Sequence, residues 1–325
     1  MPRTASRRAV PRRASPPSPR PRDGFRILLA TAGGADSRST IQLTASLAMR
    51  LDASVSAVSV VSPFPRVAIA GLHVAPPVVI DDHNRLKSIA QVRRQLGSIP
   101  GTDDWKVDSM LGWPADAIPI AASRLDASLI VIGHRRHHVM DRFIGAETAV
   151  SMARHTRVPL LIVPPGHATM PTHAIAAIDF TPSSMRAARL AARLVGPAGR
   201  LTLVHASLLA RATAEPGTLL DVYAAGAKAK LSEIAREIHG DTGITVACEV
   251  LDGEITATII EYAKHTRNAL LAVGSHTHGV IEHLMMGSVR TDVVRHVTQP
   301  VLIAPMATEN PSVADETRRA PVRRP

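Results

Sequence analysis

Short apolar runs that do not alternate recur along this chain, each followed by a longer stretch patterned for a helix. A run buried on both faces marks a strand inside a parallel sheet, and helices must cover those faces. Residues 26–31 (RILLAT) form the first run, and the Gly33-Gly34 turn leads into a helix expected over 37–51. Strands follow at 54–61, 106–111, 128–132 and 159–163. They are separated by helices at 83–96, from Gly112-Trp113-Pro114 to 124, and between Gly133 and His155. Five strands in that order predict a doubly wound parallel sheet with right-handed crossovers.

The pattern then begins again. A strand at 174–179 is followed by an Ala-rich helix at 183–195, and a strand at 201–206 by a long helix at 219–238. A strand at 244–251 then leads through Gly253 into a helix at 254–265. Residues 269–273 and 301–304 are the last apolar strands. The repeat is explicit near the ends of the copies. Arg154-His155, Pro159, Leu161-Ile162 and Pro164 recur 141 residues later as Arg295-His296, Pro300, Leu302-Ile303 and Pro305, and Gly133 and Gly274 keep that offset. Two copies of one α/β fold are therefore expected, at 25–165 and 172–306, between tails at 1–24 and 307–325 that offer little to bury.

Composition sets the character of the cores. Hydrophobic residues make up 45% and aromatics only 2%, so the interiors must be aliphatic. No apolar run is long enough to cross a bilayer and none near the N-terminus looks like a signal segment, so a cytoplasmic protein is expected. The single cysteine, Cys248, excludes an intramolecular disulfide and a cysteine-rich zinc site. Its place in the apolar 246–251 run suggests a buried small hydrophobe. Of the net charge of +11, seven units come from arginines in residues 1–22 and one from the residues after 306, which leaves +3 for the folded part. Nucleic acid would thus be met only by the N-terminal tail, which has no interleaved aromatic for base stacking.

The candidate chemistry lies in residues 269–305. The strand at 269–273 stops at Gly274, and a polar loop with His276, Thr277, His278 and Gly279 leads to Gly287-Ser288. Val289, Val293 and Val297 then recur at helical spacing. Gly274 and Gly287 would let backbone approach a bound group, and the N–H groups of Ser288 and Val289 would face an anion at a helix N-terminus. As a pattern this is a phosphate cradle, although strand–loop–helix–strand is also the commonest unit of any α/β protein.

The run Val273-Gly274-Ser275-His276, followed by Gly287-Ser288-Val289, resembles the ATP-binding signature of universal stress proteins: G, two residues, G, nine residues, then G and Ser or Thr. Thr277 stands where that family has its second glycine. Asp179-Phe180-Thr181 with Ser184 and Ala187 is similar to the family's first-strand pattern. The resemblance implies two tandem five-stranded sheets of order 3-2-1-4-5 and an ATP site in the second copy. There Asp179 would face the adenosine end and the backbone around Ala206 the adenine. Gly274, His276, Thr277, Gly287, Ser288 and Val289, with Val273 behind them, would hold ribose and phosphates. Asp179 also has a plain reading as a strand-end residue that caps the following loop.

The first copy departs further. Thr31 stands at the position given to Asp179, Arg136 at that of Thr277, Gly145 comes one residue early, and Ala146-Glu147-Thr148 replaces Gly-Ser-Val. Glu147 would set a carboxylate beside N–H groups meant for phosphate. ATP is therefore expected once per chain. The resemblance also implies that strands 159–163 and 300–304 pair antiparallel in an intramolecular pseudo-dimer, leaving homodimerisation open. Fifteen histidines include His134, His137 and His138 in one loop and His276, His278 and His283 in the other. They lack carboxylate or cysteine partners at ligand spacing, so a solvated loop face is expected and no metal. No nucleophile–base pair, H-E-x-x-H or Walker lysine motif is present, so any ATP hydrolysis is expected to be slow. A ligand-free dimerising scaffold and a nucleic-acid-associated factor are the alternatives.

Overall fold

The computed structural model describes residues 24–62, 82–133, 149, 151–153, 156–207, 219–266, 268–275 and 299–305. The first half contains β1 (Arg26–Ala30), α1 (Arg38–Leu51), β2 (Ser54–Val61), α2 (Asp82–Leu96), β3 (Lys106–Leu111), α3 (Pro114–Arg124), β4 (Leu129–Gly133) and β5 (Leu160–Val163). The second contains β6 (His173–Ala177), α4 (Pro182–Val195), β7 (Arg200–Ser207), α5 (Leu219–Thr242), β8 (Thr245–Asp252), α6 (Ile255–His265), β9 (Ala269–Gly274) and β10 (Val301–Ala304).

All ten strands join one sheet of order β3-β2-β1-β4-β5-β10-β9-β6-β7-β8. Read inward from each outer edge, each half has the expected order 3-2-1-4-5. The halves meet at β5 and β10, which pair antiparallel with Leu161 opposite Leu302; the other pairings are parallel. This seam turns two expected sheets into one. It also removes the two inner edges, whose backbone groups would otherwise lack partners. Both strands are fully buried, as their apolar sequences LLIV and VLIA demand.

Helices cover both faces. On one, α1, α2, α4 and α5 pack on a cluster that runs unbroken from Ile27, Leu29 and Leu43 to Ala176, Leu203 and Leu302. On the other, α3 and α6 pack on Leu28, Ile130, Val204, Leu271 and Ile303. Contacts between the halves go beyond the sheet. Arg50 Nη1, at the end of α1, donates to the carbonyls of Leu194 (2.6 Å) and Val195 (3.0 Å) at the C-terminus of α4, where a cation meets the negative end of the helix dipole. Arg193 of α4 lies 5.2 Å from the centre of the Phe25 ring beside β1.

Two details differ from the sequence reading. The long helix α5 continues through Gly240 to Thr242 and stops at Gly243, whose φ of 71° a side chain would resist. Strand β8 forms an outer edge of the sheet and alternates between exposed and partly buried residues, so Cys248 is half-buried rather than enclosed. Burial raises its thiol pKa, and the neighbouring Glu249 charge adds to the rise. Among the described residues, no helix is long and apolar enough to cross a membrane.

Candidate functional site

In the second half the winding direction reverses at β6, with β7 on one side and β9 on the other, and ligands of open α/β sheets gather beyond the strand ends at such a point. β6 ends at Ala177, and Ile178 still donates its N–H to Val204 O at 2.8 Å. Asp179 follows, half-buried. Its Oδ1 accepts from the N–H of Thr181 at 3.0 Å and from the Thr181 hydroxyl at 2.5 Å. Thr181 is the N-cap of α4, and its hydroxyl oxygen also accepts from the N–H of Ser184 at 3.4 Å. Burial pushes the Asp179 carboxyl up, but the Thr181 and Ser184 hydroxyls and the backbone N–H groups outweigh it and hold the group below its ordinary value. Asp179 is an ionised strand-end carboxylate fixed by the turn it caps.

Between Asp179 and Thr181, Phe180 adopts the left-handed backbone conformation, with φ of 62°. For a side chain of this size that costs about 1–2 kcal/mol, so the surroundings must hold it. Its ring packs against His205 of β7, centres 4.8 Å apart, and Lys230 Nζ lies 5.5 Å from the ring centre. His205, itself buried, sits with Nδ1 2.7 Å from Ile178 O and Nε2 3.1 Å from the Tyr223 hydroxyl.

Gly274 closes the other side. A Cβ there would lie 2.6 Å from Ser183 Oγ and 2.6 Å from the backbone nitrogen of Ser184, so only glycine lets the end of β9 meet the start of α4. Ser275 then donates its N–H to Ala304 O at 2.9 Å. Val273 and Ala206 are buried in the same apolar cluster, together with Ala177 and Val204. Of the residues expected at the site, the fold thus brings Asp179 and Gly274 to the two flanks of the α4 N-terminus and sets Ala206 and Val273 behind them. His276, Thr277, Gly287, Ser288 and Val289 lie outside the described residues, as do Arg136, Gly145, Glu147 and the six loop histidines. Among the described residues no group of three or more His, Cys, Asp or Glu is close enough to hold a metal.

One sequence alignment is corrected. Ala30 pairs with Val58 as Ala177 pairs with Val204, and Thr31 N–H donates to Val58 O as Ile178 N–H donates to Val204 O. Thr31 therefore matches Ile178, and the counterpart of Asp179 is Ala32. The matched positions lie 147 residues apart at the first strands but 141 apart at Gly133 and Gly274, so the segments between the first and fourth strands differ in length. Gly33 with φ of 70° matches Phe180, which no spacing rule exposes.

A profile of the universal stress protein family matches residues 25–164 and again residues 170–305. The chain belongs to the universal stress protein family. Its tandem form has relatives among solved structures. A universal stress protein from Archaeoglobus fulgidus is 17% identical over 87% of this chain and 96% of its own, with a TM-score of 0.59. A functionally unknown protein from Pseudomonas aeruginosa is 12% identical over 87% and 93%, with a TM-score of 0.51. At these identities the likeness is one of fold. A universal stress protein in complex with cAMP is 17% identical over 43% of this chain and 97% of its own, with a TM-score of 0.32. No curated protein matches the sequence. Within the family fold, the two universal stress domains of this chain present unequal strand ends: a carboxylate at 179 and a methyl at 32.

Proposed function

We propose that this universal stress protein is an ATP-binding stress-response or regulatory protein of the cytoplasm that binds through its second domain. Asp179 would face the adenosine end and the backbone at Ala206 the adenine. Gly274, His276, Thr277, Gly287, Ser288 and Val289 would hold ribose and phosphates, with Val273 behind them. The observation that carries this reading is the fixed, ionised Asp179 carboxylate at the β6–β9 switch point, against Ala32 in the first domain. A carboxylate there offers a charge-assisted acceptor to a hydroxyl donor, which a methyl cannot. No hydrolytic constellation is evident in the sequence, so the bound nucleotide is expected to act as a signal with at most slow turnover.

A second reading, a ligand-free scaffold, has its own support. Asp179 is already engaged by Thr181, and Gly274 is already required by its packing on Ser183 and Ser184. Both residues would be kept by folding alone. Mass spectrometry of small molecules released from the purified, denatured protein, followed by calorimetry with ATP, separates the two. The nucleotide reading expects one site per chain. Two equivalent sites would overturn the assignment to the second domain, and no binding at about millimolar ATP would leave the scaffold.

A further inference from the structure

We infer that His205 is the positioning residue of the Ile178–Thr181 turn, and so of Asp179; the consequence for ATP rests on the function proposed above. Ile178 O is a carbonyl and can only accept, so the neutral ring carries its proton on Nδ1 and donates it there. Nε2 is then the acceptor for the Tyr223 hydroxyl. The chain runs from Tyr223 on α5, through His205 on β7, to the peptide that joins Ile178 to Asp179. With both ring nitrogens engaged, neither ring rotation nor tautomer is free. The orientation of that peptide sets the direction in which Asp179 leaves β6. The same imidazole also supports the Phe180 ring, the side chain of the residue forced into the left-handed region.

The first domain shows what the histidine replaces. By register the counterpart of His205 is Ser59, whose hydroxyl pairs with Ser88 of α2 at 2.5 Å and so ties β2 to the helix, not to the turn. There the turn needs no such help. Gly33 adopts the left-handed conformation freely, and Gln91 and Gln95 of α2 donate to Gly33 O (3.2 Å) and Gly34 O (2.6 Å). Where the glycine is lost, the histidine takes over the task.

Three variants of the full chain test this: His205→Asn, His205→Gln and Tyr223→Phe. An asparagine amide nitrogen falls where Nδ1 was and a glutamine amide nitrogen where Nε2 was. Only His205→Asn therefore keeps a donor for Ile178 O. Both remove the ring from Phe180, so a merely structural role predicts equal losses, or a larger one for the smaller asparagine. Two readouts are taken. Exchange of the Thr181 amide, which Asp179 Oδ1 accepts, reports the turn without any ligand; calorimetry reports ATP affinity. We expect His205→Gln to speed Thr181 exchange and weaken ATP binding by about tenfold each, the loss of one well-placed hydrogen bond. His205→Asn should stay within about threefold of wild type, and Tyr223→Phe should fall between. Equal effects of asparagine and glutamine, or Thr181 exchange unmoved in His205→Gln, would overturn the inference. If wild type binds no ATP, the nucleotide reading fails, and the exchange ordering alone still decides the role of His205.

Discussion

The turns after β1 and β6 trace nearly the same backbone path with different chemistry. In the first domain Thr31 Oγ1 accepts from the N–H of Gly33 at 3.2 Å, and glutamines from α2 hold the carbonyls. Helix α2 lies so close that a Cβ on Gly33 would be 2.9 Å from Val92 N. In the second, Asp179 accepts from Thr181, Phe180 takes the left-handed position, and His205 anchors the carbonyl before them. One turn is closed down by a helix packed on glycine. The other is held by side chains and presents a carboxylate. The fold is built twice, and the residues at the strand ends differ between the copies.

The largest expected effect separates the glycines that end β4 and β9. Gly274→Ala forces a Cβ to 2.6 Å from the Ser184 backbone nitrogen, whereas at Gly133 the nearest atom, at 2.9 Å, is the Thr40 hydroxyl, which can rotate. We expect Gly274→Ala to cost about 3 kcal/mol and Gly133→Ala about 1 kcal/mol. Denaturant unfolding of the two variants measures this, and equal costs would break the comparison. Next comes the carboxylate. Asp179→Ala should weaken ATP binding by about 1.5–3 kcal/mol, roughly ten- to 150-fold. Ala32→Asp should create no second site in calorimetry, because α2 still covers the first turn.

Thr277 sharpens the comparison from the loop side. If the cradle needs a left-handed residue there, a β-branched side chain costs about 1–2 kcal/mol, and Thr277→Gly should tighten ATP roughly five- to thirtyfold. Weaker binding in that variant would mean that the threonine hydroxyl itself contacts the phosphates. The smallest effect is that of pH. Burial, reinforced by the Arg200 charge, lowers the pKa of His173 at the start of β6. Among the described residues its Nδ1 is buried without a partner, while Nε2 meets Thr202 Oγ1 at 2.9 Å. A histidine depressed below 6.5 favours the fold fully above that pH and withdraws stability as pH falls through it. His167, between the domains, moves the same way through burial. Asp179, depressed below 3.8, adds stability that is lost only as pH falls further, through its folded value. The matching first-domain residues are Arg26 and Ala32, neither a histidine nor a carboxylate. Hydrogen exchange between pH 7 and 5 should therefore show β6 losing protection before β1, and simultaneous loss would refute it.

The repeat was legible in the chain, and the strand order and the seam were implied by its resemblance to universal stress proteins. Apolar runs such as LLIV and VLIA can be satisfied only inside a sheet, and a repeat at fixed offset can only be two copies of one unit. Asp179 and Gly274 were legible as candidates because their spacing is local. The geometry of the site was not. Whether 31 or 32 corresponds to 179 depends on which hydrogen bonds each first strand shares with its neighbour. A left-handed phenylalanine depends on what a β7 histidine and an α5 lysine place around it, and half-burial of Cys248 depends on its strand lying at the sheet edge. Periodicity and spacing are properties of neighbours along the chain, and they determined the succession of strands and helices and its repetition. Register, exposure and the support of a strained turn are set by residues far apart in sequence, and only the packed tertiary structure decided them.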